Sequence, residues 1–187
     1  GDINNTVTVD GNHVTVNNTT DEKVIYELKG TAQDGSVKLY SSKKQALVLD
    51  GLDLTSTRGA AINNQGKKKC FVVVKGTNTL KDAASYTSTS ADEDEKAAFF
   101  SEGQLIFSGD GKLTVTAQGK SGITSDDYIH FMESQVVNVT SDCDNLSFTI
   151  QGMGSIALQV TKREPNCLIQ LSPVGKTPFQ FVLNVYI

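Results

Sequence analysis

The apolar residues of this chain fall in short runs that alternate with polar or threonine positions and are separated by polar corners. "VTVDGNHVTV" (7–16), "ALVLDGLDLTS" (46–56), "CFVVVKGTNTL" (70–80), "LIFSGDGKLTVTA" (105–117) and "YIHFMESQVVNVT" (128–140) share this pattern. Alternation with a period of two predicts half-buried β-strands. No segment carries a helical 3.6-residue period with caps, and the three prolines all lie after residue 164. The predicted class is all-β.

The runs also repeat. Phe107 and Phe131, Leu113 and Val137, Val115 and Val139, and Phe99 and Ile123 are each 24 residues apart, while Leu49 and Val74, like Gly51 and Gly76, are 25 apart. Glycines inside strand patterns mark tight corners. A coil of this length, built of strands and polar corners, is what a parallel β-helix needs: each coil lays its strands on those of the coil below and stacks its inward side chains into a dry column. The Leu and Asn ladder of leucine-rich repeats is absent, and a propeller blade is nearer about 40 residues. An antiparallel sandwich, which also suits short alternating strands, stays open as the alternative. Ile62 and Phe99 are 37 residues apart, so one coil holds about 13 extra residues. These fall in "SYTSTSADEDEKAAFFSEGQ" (85–104), where a hydroxyl-rich run precedes four consecutive acids.

Composition narrows the function more than the fold. With 187 residues and 38% apolar content, one domain with a continuous core is expected. We divide it into coils over residues 1–145 and a divergent last coil or cap over 146–187, where the repeat signatures fade. A net charge of −4 with only two arginines, Arg58 and Arg163, provides no basic footprint for nucleic acid. No apolar run is long enough to form a transmembrane helix. Cys70, Cys143 and Cys167 have no metal-ligand spacing, and their expected role is as small buried apolar residues.

"LVLDGLDLTSTRGAAI" (47–62), "TNTLKDAASYTSTSADEDEKAAFFSEGQLIFSGDGKLTVTA" (77–117) and "GKSGITSDDYI" (119–129) resemble a bacterial family of calcium-associated, carbohydrate-binding right-handed β-helix proteins. Its founding clostridial member is a surface protein that binds cellulose and pectic acid on a pectate-lyase-like fold. The likeness runs from about residue 22 to 140. It implies a right-handed single-stranded parallel β-helix, a polysaccharide partner, calcium, and an extracellular or cell-surface location with any signal or lipid anchor removed. "FMES" (131–134) departs from the Gly-rich corner usual in the family, and the family signatures end after Asp144.

The acids Asp92, Glu93, Asp94 and Glu95 supply the hard oxygen donors that calcium takes six to eight at a time. Consecutive residues cannot all face one ion, so Asp126 and Asp127, on the corner after Ile123, are the expected second source. No EF-hand pattern is present. A solvated surface loop is the bland alternative for such an acid run. Arg58, Lys120, Tyr86 and Tyr128 are the candidate glycan contacts, with Lys67 to Lys69 as a further basic corner and Tyr26 and Tyr40 as further aromatics; tryptophan is absent. Three functions follow. The first is calcium-assisted binding of an acidic, pectin-like polysaccharide or of cellulose, without cleavage. The second is polyuronate elimination, which needs calcium and a base, for which Arg58 is the one arginine in the matched region. The third is a structural surface or adhesin module.

Overall fold

The computed structural model describes residues 5–87 and 90–132 in full and, beyond them, the backbone of the strands at 135–141, 145–151, 155–162, 168–173 and 180–186. The chain opens with β1 (Asn5–Asp10), β2 (Asn12–Asn18) and β3 (Val24–Ala32). Three strand positions then recur in the turns up to residue 141, and two in those after it. β4 (Gly35–Ser41) is followed by the long β5 (Gln45–Thr55), whose two halves occupy two faces. The next turns are β6 (Ile62–Asn64), β7 (Cys70–Lys75) and β8 (Thr77–Lys81), then β9 (Ala97–Ser101), β10 (Leu105–Ser108) and β11 (Lys112–Ala117), then β12 (Ser121–Ser125), β13 (Ile129–Phe131) and β14 (Gln135–Ser141). β15 (Asn145–Gln151), β16 (Ser155–Lys162), β17 (Leu168–Pro173) and β18 (Gln180–Tyr186) follow.

From β2 onward every pairing is parallel, each strand lying on its counterpart one turn away. β2, β4, β6, β9 and β12, with β1 at the edge, make one face, and the other strands make the other two. This is a parallel β-solenoid. Residues 105–117 and 128–140 pair in parallel through β10 with β13 and β11 with β14, which excludes the sandwich. The sequence offsets are the observed registers: Phe107 lies opposite Phe131, Leu113 opposite Val137, Val115 opposite Val139, Phe99 opposite Ile123, and Leu49 opposite Val74. Ile62 lies opposite Phe99, so the extra residues do belong to a single turn. Gly51 and Gly76 both take positive φ, 69° and 60°, at the corner that splits each turn's second and third strands. L-residues disfavour that region, which is why the corner repeats glycine.

Two stretches differ from the simple repeat. "VTVDGNHVTV" does not enter a coil as one unit: β1 folds back on β2 as an antiparallel hairpin, with Asp10 opposite His13. Asp10-Gly11 is a hairpin-turn signal, and Gly11 supplies the positive φ of 60°. At the other end, parallel pairing continues to Tyr186, but Gln135 lies opposite Ile156, Asn145 opposite Leu168 and Ser155 opposite Gln180. Those offsets are 21, 23 and 25 residues, a drift that hides the repeat from a fixed-period reading. Cys143 and Cys167 lie outside the described residues, while Cys70 is a buried free thiol that burial pushes up to about 12.

The column inside the solenoid is largely apolar. Leu39, Leu47, Leu49, Ile62, Leu80, Phe99, Leu105, Phe107, Leu113 and Ile123 are all essentially inaccessible. Phe107 stacks on Phe131 at a centroid distance of 5.2 Å and meets Phe99 edge-on at 6.0 Å. Burying each such side chain is worth roughly 1.5–3 kcal/mol. Beside this column runs a short row of buried polar groups, in which Asn64 accepts from Gln45 Nε2 and donates to Ser101 Oγ at 2.8 Å.

Candidate functional site

The insertion lies between β8 and β9, and it folds onto the outside of the face formed by β4, β6 and β9. On β4 the burial alternates, as for a strand with one solvated face, but β6 and β9 are buried at every position. Inward Val37, Ile62 and Phe99 account for half of this. The insertion accounts for the other half, covering outward-facing Asn63 and Phe100. Two anchors hold it. Near its start, buried Asp82 accepts hydrogen bonds from the backbone N–H groups of Gln118 (2.6 Å), Gly119 (3.2 Å) and Lys120 (3.2 Å), and from Tyr86 Oη at 2.9 Å. Burial raises the Asp82 carboxyl above its usual range, against the pull of these donors. Near its end, Glu93 accepts from Lys38 Nζ at 2.9 Å and from the Tyr40 hydroxyl. Burial pushes Glu93 up, but Tyr40 and Lys38 outweigh it and hold the carboxyl below its ordinary value.

The four acids therefore separate. Asp92 is exposed on a turn. Glu93 latches the insertion to β4, and Glu95, 3% exposed, accepts from the Ala60 N–H at 2.7 Å. Of the four, Asp94 reaches the Asp126 corner, where the two meet Glu102. One carboxylate oxygen from each of Asp94, Glu102 and Asp126 lies within 4.8 Å of the others. Lys96 stands among them, 2.7 Å from Asp94 Oδ2 and 2.8 and 2.9 Å from the Asp126 oxygens, with its ammonium 5.7 Å from the centre of the Phe100 ring. Asp126 and Asp94 hold Lys96 above its usual value, so it is a cation here. Asp127 is turned away, accepting from Gln104 Nε2. Three convergent carboxylates, mostly exposed, are the donor type that a hard cation takes. They fit calcium in chemistry, and Lys96 is the competing positive charge already in place.

Glu102 was not among the acids singled out from the sequence, although the signal existed. It precedes Asp126 by one 24-residue coil, next to the registered pair Ser101 and Ser125. The expected glycan contacts do not converge on this corner as a set. Lys120 Nζ donates to the Glu95 carbonyl and sits 4.4 Å from the Tyr86 ring centre. Tyr86 serves Asp82. Tyr128 is half-buried, its carbonyl accepting from the Leu105 N–H at 3.0 Å. Lys67 and Lys68 are exposed on the corner before β7. Arg58 instead reaches the hairpin, donating from Nη1 to Asp10 Oδ2 at 2.6 Å, and Asp10 keeps it firmly protonated.

Beside Arg58 the stacking of β2 on β4 brings together residues distant in the sequence. His13 contacts Ser36 Oγ at 2.8 Å through Nδ1 and Asp34 Oδ1 at 3.1 Å through Nε2, and Asp34 also accepts from Thr57 Oγ1 at 2.6 Å. The order acid, imidazole, hydroxyl is that of a hydrolytic relay. In such relays, however, the acid is buried, whereas Asp34 is 51% exposed. The group is a polar latch between hairpin and solenoid. It forms one wall of a cleft of about 290 Å³, which β4 and the insertion complete.

Comparison with known proteins agrees with this architecture. Residues 10–159 match the family described as carbohydrate-binding domain-containing protein. A protein of that description from Acetivibrio thermocellus is 29% identical over 144 residues, covering 68% of this chain and 50% of its own length, so the chain spans about half of that relative. A solved structure described as the polysaccharide lyase-like protein from C. thermocellum, a gadolinium derivative, superposes with a TM-score of 0.62 at 20% identity, covering 96% of this chain and 89% of its own. That likeness is one of fold. The chain belongs to the carbohydrate-binding domain-containing family, built on a parallel β-solenoid.

Proposed function

We propose that the protein binds an acidic polysaccharide with the help of calcium, does not cleave it, and works at the bacterial cell surface. Carbohydrate binding in general follows from the family. The observation that carries the finer reading is the convergence of Asp94, Glu102 and Asp126 from the insertion and two successive corners. These three would hold the ion, with Lys96 swinging aside. Bound there, calcium would supply the positive charge that lets a uronate carboxylate approach a chain of net charge −4. Lys96 tunes the site, since its ammonium must be displaced before a divalent ion enters.

The non-catalytic part is supported by the state of Arg58. Elimination from a uronate needs a base that can take a proton, and an arginine held protonated by Asp10 is poorly suited to that role.

The test is retention on immobilised polygalacturonate, run with calcium and with chelator, alongside absorbance for unsaturated products. Calcium-dependent retention, its loss in Asp126→Ala, and no absorbance are the expected results. Lys96→Met should tighten calcium binding by on the order of 1 kcal/mol, because it removes a competing charge at a solvated site. Chelator-insensitive retention rejects the calcium step, and product absorbance rejects the non-catalytic one.

A further inference from the structure

One corner of the solenoid changes charge along its length. It is built by residues 42–44, 65–69, 102–104 and 126–128, which join β4 to β5, β6 to β7, β9 to β10 and β12 to β13 in four successive turns. Backbone hydrogen bonds stack these segments: the Gln45 N–H donates to the Lys69 carbonyl at 3.2 Å, that of Cys70 to Gln104 at 2.8 Å and that of Leu105 to Tyr128 at 3.0 Å. Gly103 lies so close to the Lys68 carbonyl that a Cβ has no room between them. Glu102 and Asp126, two of the three convergent carboxylates, come from the last two segments. The two segments before them carry Lys43, Lys44, Lys67, Lys68 and Lys69.

These lysines are short of counter-charge. Lys43 meets Asp21 Oδ1 at 2.7 Å, and the other four make no ion pair among the described residues. Lys44, Lys67 and Lys68 are exposed and Lys69 is half-buried. Gln45 and Cys70 are register partners, so Lys44 and Lys69, one residue before each, stand on neighbouring turns at the strand spacing of roughly 4.8 Å. Like charges set opposite each other on paired strands are destabilising. An anion from outside relieves that repulsion.

The arrangement says what kind of anion. The corner recurs once per turn, so its charges form a line along the solenoid axis, which suits a linear polymer with a charge on each unit better than a lone anion. An apolar flank adjoins the line. Phe71, 36% exposed, follows Lys69 by two residues on the same outward side, between Ala46 and Ile106 of the turns on either side. The C–H side of a pyranose ring can lie against that aromatic ring while its carboxylate reaches a lysine.

We infer that the lysine corners continue the calcium site. A polyuronate lies along this ridge with one carboxylate on the ion at Asp94, Glu102 and Asp126 and later ones on Lys67, Lys68 and Lys44. This rests on the calcium-assisted reading above and adds the direction and the length of the bound chain. Without the ion, the acids at one end repel the polymer that the lysines at the other end attract. The lysines therefore extend the grip and do not replace calcium.

The experiment is calorimetric titration of the full chain with di-, tetra- and hexagalacturonate, in calcium and in EDTA. The wild type is compared with a corner variant (Lys44→Gln, Lys67→Gln, Lys68→Gln) and with a control of equal net charge (Lys75→Gln, Lys81→Gln, Lys112→Gln) altered away from the ridge. In calcium, affinity should rise from dimer to hexamer for the wild type and the control. The corner variant should bind the hexamer about tenfold more weakly, the combined effect of three exposed ion pairs, and the dimer almost unchanged. Its melting temperature should hold or rise, because like charges have been removed, and added salt should erase the difference between the variants. Equal losses in both triple variants, or an affinity that does not grow with length, overturn the ridge and leave the calcium site intact. Lysine-dependent binding that is equally tight in EDTA rejects the calcium step and with it the continuous ridge. Capture by phosphatidylserine vesicles that is lost in the corner variant, with no gain from dimer to hexamer, assigns the lysines to a lipid surface and overturns the inference. Failure of every oligogalacturonate overturns both readings.

Discussion

The two sides of the face formed by β4, β6 and β9 are made by different means. On the inside, Val37, Ile62, Phe99 and Ile123 lie one above another in successive turns. Each is buried because the repeat puts an apolar residue at the same place in every coil. On the outside, Lys38, Asn63 and Phe100 occupy the adjacent register positions and share no chemistry. They are covered by a stretch that occurs once, the insertion, through Glu93 on β4 and Lys96 over Phe100. The inner side provides stability by repetition. The outer side provides individual chemistry, and both the carboxylate corner and the cleft lie on it.

The largest effect should come from the inner side. Phe107 contacts Phe131 of the next turn at 5.2 Å and Phe99 of its own turn at 6.0 Å, and lies opposite Val72 of the turn before. Phe107→Ala should cost about 3–5 kcal/mol in chemical denaturation, the range for an aromatic deleted from a packed core. Because each turn packs mainly on its neighbours, the loss should lower the whole transition. A loss under about 1 kcal/mol would mean that the column tolerates a gap and that the inner repeat is not what sets stability.

The anchor between the two sides comes next. Asp82→Ala leaves the N–H groups of Gln118, Gly119 and Lys120 without their carboxylate. Hydrogen bonds to charged groups contribute roughly 1.5–3 kcal/mol, and a loss of that size is expected in thermal or chemical unfolding. If the Asp94 corner takes calcium as proposed, the substitution should also weaken that binding, since the start of the insertion is freed. Asn at this position, able to accept from the same donors, should recover most of the stability.

The difference between the sides also decides what could be read from the sequence. Phe99 and Ile123, or Phe107 and Phe131, announced themselves because a repeat leaves the same signal several times. The 13-residue excess between Ile62 and Phe99 located the insertion by subtraction. Its path left no such trace. Glu93 meets Lys38 and Tyr40 more than 50 residues away in sequence, and nothing in "ADEDEK" distinguishes that acid from Asp94, which goes to the corner. Asp126 was legible as a corner acid, and Glu102 became so only when the 24-residue offset was applied to polar positions as well as apolar ones. Asn63 carried no signal at all, because its burial is a consequence of what covers it. Arg58 was singled out as a glycan contact or a base; the structure brings it to Asp10 and to the wall of the cleft.

The smallest effect is the pH dependence of the outer covering. The Glu93 side chain is about one-fifth exposed, and its folded carboxyl lies below the ordinary value of 4.5. A depressed carboxylate adds stability that is complete above the unfolded value and is lost as pH falls through the folded one. The latch should therefore hold at neutral pH and release only below about 4.5. Its worth is modest, about 1 kcal/mol or less for a partly solvated ion pair. The amides of residues 90–96 should shift along a titration whose midpoint lies under 4.5, and protease sensitivity of the insertion should rise in step while the inner turns stay protected. Glu93→Gln, which keeps the shape and removes the charge, should show that sensitivity already at pH 7 and lose the acid midpoint. A midpoint at or above 4.5, or simultaneous loss of protection in β9 and β10, would show that the outer covering and the inner column are one cooperative unit.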